Sequence, residues 1–131
     1  MSLLLWLAGC GGSGQLTAGA LEEQAATSQS LAAEGSMLAG DAARGRATVA
    51  FTRIHARELR DAAGSVATSL GEARPAPGLA ARAKRAASLA QRIRSELDTL
   101  SRSGSDSALQ RRLAARLAAD AKAAEKLGGG S

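Results

Sequence analysis

The chain has very few aromatic residues: it contains no tyrosine, one phenylalanine and one tryptophan. This scarcity excludes a core built on large rings, and it leaves few rings on which nucleic-acid bases could stack. Residues typical of strands are also scarce and do not alternate with polar ones. Much of the 45% hydrophobic fraction is alanine, which favours helices and buries little surface. The composition therefore predicts an all-α fold with closely packed helices.

Residues for metal binding and catalysis are scarce as well. His55 is the only histidine and precedes Glu58, whereas a ferritin-like di-metal site needs Glu-x-x-His on two helices. We therefore interpret His55 as a hydrogen-bonded or half-solvated residue at the edge of a helix seam. The sequence contains no nucleophile elbow, and the glycine-rich stretch 9–14 lacks the lysine and the preceding strand of a phosphate-binding loop. We expect no enzyme, no cofactor and no metal site.

Cys10 is the only cysteine, so no disulfide can form within the chain. It follows an apolar run at positions 3–8 and precedes glycines and a serine at 11–14. Leu7, Ala8, Gly9 and Cys10 resemble the lipobox of bacterial lipoproteins. The resemblance implies cleavage between Gly9 and Cys10 and attachment of a diacylglyceryl group to the thiol. Two acyl chains would make a lasting membrane anchor, whereas a single chain binds reversibly.

The N-terminus differs from a complete secretory signal in two respects. No Lys or Arg precedes Cys10, and the apolar run is shorter than the usual core of about 7–15 residues. We therefore expect the true start codon to lie upstream of Met1. The alternative interpretation is an unmodified cysteine behind an apolar N-terminus. Since no run approaches the ~20 apolar residues of a transmembrane helix, lipid is the expected route to a membrane.

Positive charge is confined to the later part of the chain. The first 43 residues carry four charged side chains, all of them acidic. All 17 Lys and Arg lie at Arg44 or beyond, together with eight acidic residues, so this later part has a net charge of +9. We expect solvated basic helix faces that could meet an anionic lipid or a protein partner. A nucleic-acid partner is disfavoured because no recognition module is present. The candidate phosphate-contacting residues are Arg82, Lys84, Arg85, Arg92, Arg94, Arg111, Arg112, Arg116, Lys122 and Lys126.

Apolar spacing predicts two helices in the first half of the chain. The first covers 15–43 with a weak heptad stripe, and the glycine-containing stretch 40–47 separates it from the second. The second helix begins after Thr48 as N-cap and ends at Gly71, before a stiff connection at 74–78 that holds both prolines. Its expected buried face consists of Phe51, Ile54, His55, Leu59, Ala62, Val66 and Leu70.

Two further helices are predicted in the second half. The third, at 79–102, has a strict heptad of alternating large and small residues: Leu79, Ala83, Ala86, Ala90, Ile93, Leu97 and Leu100. The fourth follows a turn at 103–105, with Ser105 or Asp106 as its cap, and precedes a flexible tail at 128–131. Its stripe consists of Leu109, Leu113, Leu117, Ala121 and Ala124.

Short connections force neighbouring helices to run antiparallel. We therefore predict an antiparallel up-down-up-down four-helix bundle over residues 15–127. The alternative is a three-helix bundle in which the first two segments form one long or kinked helix. The core is thin because alanine dominates it, so a homo-oligomer is compatible with this composition.

These observations predict a small exported lipoprotein that acts as a non-catalytic interaction or structural module at the cell envelope. Residues 1–9 would be a truncated signal peptide, and 10–14 the lipidated Cys10 with a flexible linker. The expected location is the outer side of the cytoplasmic membrane, or the outer membrane of a cell that has one. In such a cell, Gly11 directly after the lipidated Cys10 would fit release to the outer membrane rather than retention at the inner one. A cytosolic basic helical protein that binds nucleic acid is the alternative, and a metal-binding helical bundle is the third hypothesis.

Overall fold

The computed structural model describes residues 15–129, which form four helices and one short parallel strand pair. The helices have similar lengths of 26, 24, 22 and 22 residues, so each spans about 33–39 Å. The elements in chain order are β1 (Gln15–Leu16), α1 (Ala18–Ala43), α2 (Val49–Glu72), β2 (Arg74–Pro75), α3 (Ala80–Ser101) and α4 (Ser107–Gly128).

The helices form an antiparallel four-helix bundle, in which α1 packs mainly on α4 and α2 mainly on α3. The Ser36 hydroxyl of α1 donates to the Ala114 carbonyl of α4 at 2.7 Å, while Ala25, earlier in α1, lies beside Gly128 at the end of α4. Contact partners therefore run in opposite order along the two helices. The same reversed order relates α2 to α3 and α3 to α4. The predicted bundle is confirmed.

The predicted helix boundaries depend on caps and a glycine turn, and the structure contains them. The Thr48 hydroxyl accepts from the Phe51 N–H at 3.1 Å, and the Asp106 carboxylate accepts from the Leu109 N–H at 3.0 Å. Between α1 and α2 the chain reverses at Gly45, whose φ of +73° is readily adopted only by glycine. The alternative with one long or kinked first helix is therefore wrong.

The core seam of α3 is as predicted, since every heptad residue inside the helix is buried. Leu97 and Ile93 are fully enclosed, and Leu97 faces Gly35 of α1 together with Leu117 of α4. In the α4 stripe, Leu113, Leu117 and Ala124 are buried, whereas Leu109 and Ala121 are only partly covered. Tight contact between α1, α3 and α4 thus depends on a residue without a side chain at position 35.

The predicted buried face of α2 is wrong in its first half. Phe51 and Ile54 are each 55% exposed, and His55 and Ala62 are only half-buried. Thr52 and Ala56 face the core there, in the same helical stripe as Leu59, and this rotation of the helix turns Phe51 and Ile54 toward solvent. The buried residues of α2 are Thr52, Ala56, Leu59, Ala63, Val66, Ala67 and Leu70, so only Leu59, Val66 and Leu70 were predicted correctly.

Both ends of the described chain differ slightly from expectation. Gln15–Leu16 was expected to be helical but pairs in parallel with Arg74–Pro75, and the Leu16 carbonyl accepts from the Ala76 N–H at 2.9 Å. Helix α1 begins only after Thr17, whose hydroxyl caps it. Helix α4 includes Gly128, one residue beyond the predicted end of the bundle, and the rest of the expected tail beyond 129 lies outside the described residues.

Candidate functional site

The predicted lipid-attachment residue Cys10 and cleavage residue Gly9 lie outside the described residues 15–129. The structure does place the point at which the chain joins the bundle, because β1 is paired with β2 and Leu16 is buried. One residue extends the chain by at most about 3.5 Å, so Cys10 lies within about 17 Å of Gln15. A lipid on Cys10 would therefore be attached close to this end of the bundle.

Four helix termini meet beside β1, and we call this region the N-terminal end of the bundle. Leu16 and Leu21 share an apolar cluster with Ala83 near the start of α3, and Leu127 near the end of α4 packs against it. The Arg82 guanidinium donates to the Leu127 carbonyl at 2.6 Å, which pairs a carbonyl that the helix end leaves free. The start of α3 and the end of α4 are thereby held together where the chain enters.

A groove of about 770 Å³, which we call the basic groove, opens between α3 and α4 at this N-terminal end. Its cations are Lys84, Arg85 and Arg92 of α3 and Lys126 of α4. Within residues 15–129, no side chain that lines the groove carries a carboxylate. The rest of its lining is apolar or small: Ala81, Ser88, Leu89, Ala123 and Leu127.

Three of these cations have no ion-pair partner within residues 15–129, namely Lys84, Arg85 and Lys126. Arg92 differs because its Nε donates to Asp120 Oδ1 at 2.9 Å, and its Nη2 lies 2.9 Å from the same oxygen as an ion pair. Like charges held close together repel, and an anion placed between them reduces that repulsion. The basic groove is therefore complementary in charge to an anionic ligand.

An acidic pair, Glu96 of α3 and Asp120 of α4, lies next to the basic groove. Asp120 is only 4% exposed, and its Oδ2 is buried without a hydrogen-bond partner in the described structure. Glu96 Oε2 is buried and unpartnered there in the same way. Arg92 and Arg116 line the shallow depression around the pair. Two neighbouring acceptor-only oxygens can both be satisfied if one of them carries a proton.

Burial, the hydrogen bond to Asp120 and the negative charge of Asp120 together raise the pKa of Glu96 to about 8, while Arg92 and Arg116 act against the shift. A raised pKa favours the protonated carboxyl of Glu96, which is the form that can donate to Asp120. The pair links α3 to α4 beside the groove. Sequence reasoning missed it, although an aspartate three residues after Leu117, close to the apolar stripe of α4, could have indicated a buried acid.

The structure does not unite the ten candidate basic residues into one continuous face. Four of them line the basic groove, and Arg82 is engaged with the end of α4. Arg94 lies in a separate depression beside Asp61 and Gly64, and Arg116 lies beside the acidic pair. Outside these places are the exposed Arg111, Arg112 and Lys122.

His55 lies at the α1–α2 seam, as interpreted from its sequence context. Its Nε2 is 2.9 Å from Glu34 Oε1 across the seam, rather than being paired with the neighbouring Glu58, and its ring centroid is 5.4 Å from that of Phe51. Within the described residues, no group of three or more His, Cys, Asp or Glu is placed to hold a metal ion. In the same range, no helix combines the length and apolarity needed to cross a bilayer.

Comparison of the chain with models of known protein families, with curated proteins and with solved structures gives no match.

Proposed function

We propose that this chain is a small bacterial lipoprotein, in which Cys10 carries a diacylglyceryl group and the helical bundle is a non-catalytic interaction or structural module at the cell envelope. One observation carries the proposal: the only cysteine of the chain directly follows Leu7, Ala8 and Gly9 and directly precedes a glycine-rich spacer. The proposed location is the outer side of the cytoplasmic membrane, or the outer membrane where one exists.

The geometry of the bundle supports such a tether. The chain enters the bundle at one end, where β1 is held against β2. A membrane anchor within about 17 Å of Gln15 would leave the opposite end, about 39 Å away along α1, accessible to a partner. That opposite end carries the exposed apolar side chains of Met37, Phe51 and Ile54.

Detergent phase partitioning of the protein produced in its own cells tests the proposal. The wild-type chain should enter the detergent phase, because two acyl chains hold it there, and Cys10→Ser should move to the aqueous phase. Ser13→Ala alters the same spacer without removing the thiol, so it serves as the matched control and should stay in the detergent phase. A wild-type chain that remains aqueous with a free thiol would contradict the proposal and favour the cytosolic alternative.

A further inference from the structure

We propose that the basic groove binds an anionic phospholipid of the bilayer in which Cys10 is anchored. The phosphate would lie among Lys84, Arg85 and Lys126, and the first part of an acyl chain would lie over the accessible apolar lining, which is Ala81, Ala123 and Leu127. This inference rests on the proposed function, because the acyl anchor on Cys10 is what would hold the groove at the bilayer surface.

The chemistry of the groove selects an amphiphilic anion. Three cations without ion-pair partners in the described structure supply the charge for one phosphate group. The remaining lining is apolar or small, so a ligand that is charged throughout would leave that surface unused. Nucleic acid fits less well, because none of the described lining residues has an aromatic ring for base stacking.

The position of the groove agrees with this ligand. Ala81 in the first turn of α3 and Lys126 in the last turn of α4 line it, and both turns lie at the N-terminal end, where the chain leads back to Cys10. The reach of about 17 Å from Gln15 to Cys10 keeps this end near any bilayer that holds the acyl chains. Tethering raises the local concentration of headgroups, so a weak intrinsic affinity is sufficient for binding.

Vesicle binding by the full chain with Cys10→Ser tests the groove without the covalent anchor. The chain should bind vesicles of phosphatidylcholine mixed with phosphatidylglycerol and should not bind phosphatidylcholine alone. Each Lys or Arg near an anionic surface contributes about fivefold to binding, so removing three should weaken it about 100-fold. The groove variant is Lys84→Gln with Arg85→Gln and Lys126→Gln.

A charge-matched control separates the groove from general attraction of a basic protein. It removes three exposed arginines in the opposite half of the bundle, so its net charge equals that of the groove variant, and it should lose less than about fivefold. Circular dichroism and thermal melting verify that both variants keep the helical fold, since all six residues are exposed. The control variant is Arg53→Gln with Arg57→Gln and Arg111→Gln.

Backbone amide chemical shifts identify which part of the lipid is recognised. Short-chain phosphatidylglycerol below its micelle concentration should shift the amides of Ser88, Leu89 and Ala123. Glycerophosphoglycerol and inorganic phosphate, which lack acyl chains, should bind at least tenfold more weakly. Equal binding by inorganic phosphate would overturn the lipid assignment in favour of a phosphate site.

Two further results would overturn the proposal. Equal losses in the groove and control variants would show diffuse electrostatic attraction, and a single-stranded oligonucleotide that competes fully with the vesicles would identify a nucleic-acid surface. Failure of the proposed function is distinguishable from these results, because Cys10 lipidation is measured on the native protein and groove binding on the Cys10→Ser chain. If the native chain carries a free thiol but the Cys10→Ser chain still binds anionic vesicles selectively, the lipidation of Cys10 is contradicted and phospholipid binding by the basic groove is retained.

Discussion

Replacing Gly35 by alanine should destabilise the bundle, although alanine is the better helix former. Position 35 lies where α1 meets α3 and α4, and an added Cβ would lie 2.6 Å from Leu97 Cδ2 and 3.2 Å from Leu117 Cδ1. Both leucines are 0% exposed, so neither side chain can turn toward solvent to make room. The methyl group therefore requires movement of the helices or strained leucine rotamers.

The magnitude follows from two opposing effects. Overpacking a well-filled core costs about 1–3 kcal/mol, and replacing a helical glycine by alanine contributes up to about 1 kcal/mol of stability. The net expectation for Gly35→Ala is a loss of about 0–3 kcal/mol in the free energy of unfolding. Gly40→Ala in the same helix is the matched control, because only the flexible Arg44 guanidinium comes within 4 Å of its added Cβ, at 3.7 Å. It should gain up to about 1 kcal/mol.

Urea and thermal unfolding of the two variants beside the wild type measure this difference. At this chain length 1 kcal/mol corresponds to about 4 °C in Tm, so the variants should shift Tm in opposite directions and differ by several degrees. A Gly35→Ala chain stabilised as much as Gly40→Ala would refute the close packing of α1 against Leu97 and Leu117.

Three further predictions concern the acidic pair, the exposed face of α2 and a helix cap. The pKa of Glu96 is about 8 in the folded state against an ordinary 4.5, so between these pH values the folded state holds a proton that the unfolded state has lost. The free energy of unfolding should therefore fall as pH rises from 4.5 to about 8. In urea titrations Glu96→Gln should remove this pH dependence, and the exposed control Glu125→Gln should not. Leu59→Ala should cost about 2–5 kcal/mol in chemical denaturation and Ile54→Ala less than about 1 kcal/mol, and equal costs would place Ile54 in the core. Asp106→Ala should lower the stability measured by thermal melting by about 1 kcal/mol, and no change would mean that the α4 cap is dispensable.

Much of the fold was predictable because its determinants are local. Thr48, Asp106 and Gly45 mark helix ends through their own side chains or backbone, and the heptad of α3 contains enough leucine and isoleucine to identify its buried side. The face of α2 was not predictable in the same way, because the choice between Phe51 and Ala56 depends on how closely another helix approaches. The pairing of Leu16 with the 74–78 connection depends on long-range contacts that local periodicity does not contain.

The candidate site was predictable only as a set of basic residues. Lys84 and Lys126 are far apart in the chain, and only the antiparallel packing of α3 against α4 brings them to one groove. The pairing of Glu96 with Asp120 depends on the register between the same two helices, which sequence spacing within one helix does not specify. The lipid attachment at Cys10 stays a prediction that depends on the adjacent residues Leu7, Ala8 and Gly9 alone, since Cys10 lies outside the described residues.

Mass spectrometry of the N-terminus of the protein purified from its own cells determines whether Cys10 is cleaved and lipidated. The mature chain should begin at Cys10, and its first residue should carry the added mass of a diacylglyceryl group. A chain that retains residues before Cys10 and has an unmodified thiol would contradict the lipoprotein assignment.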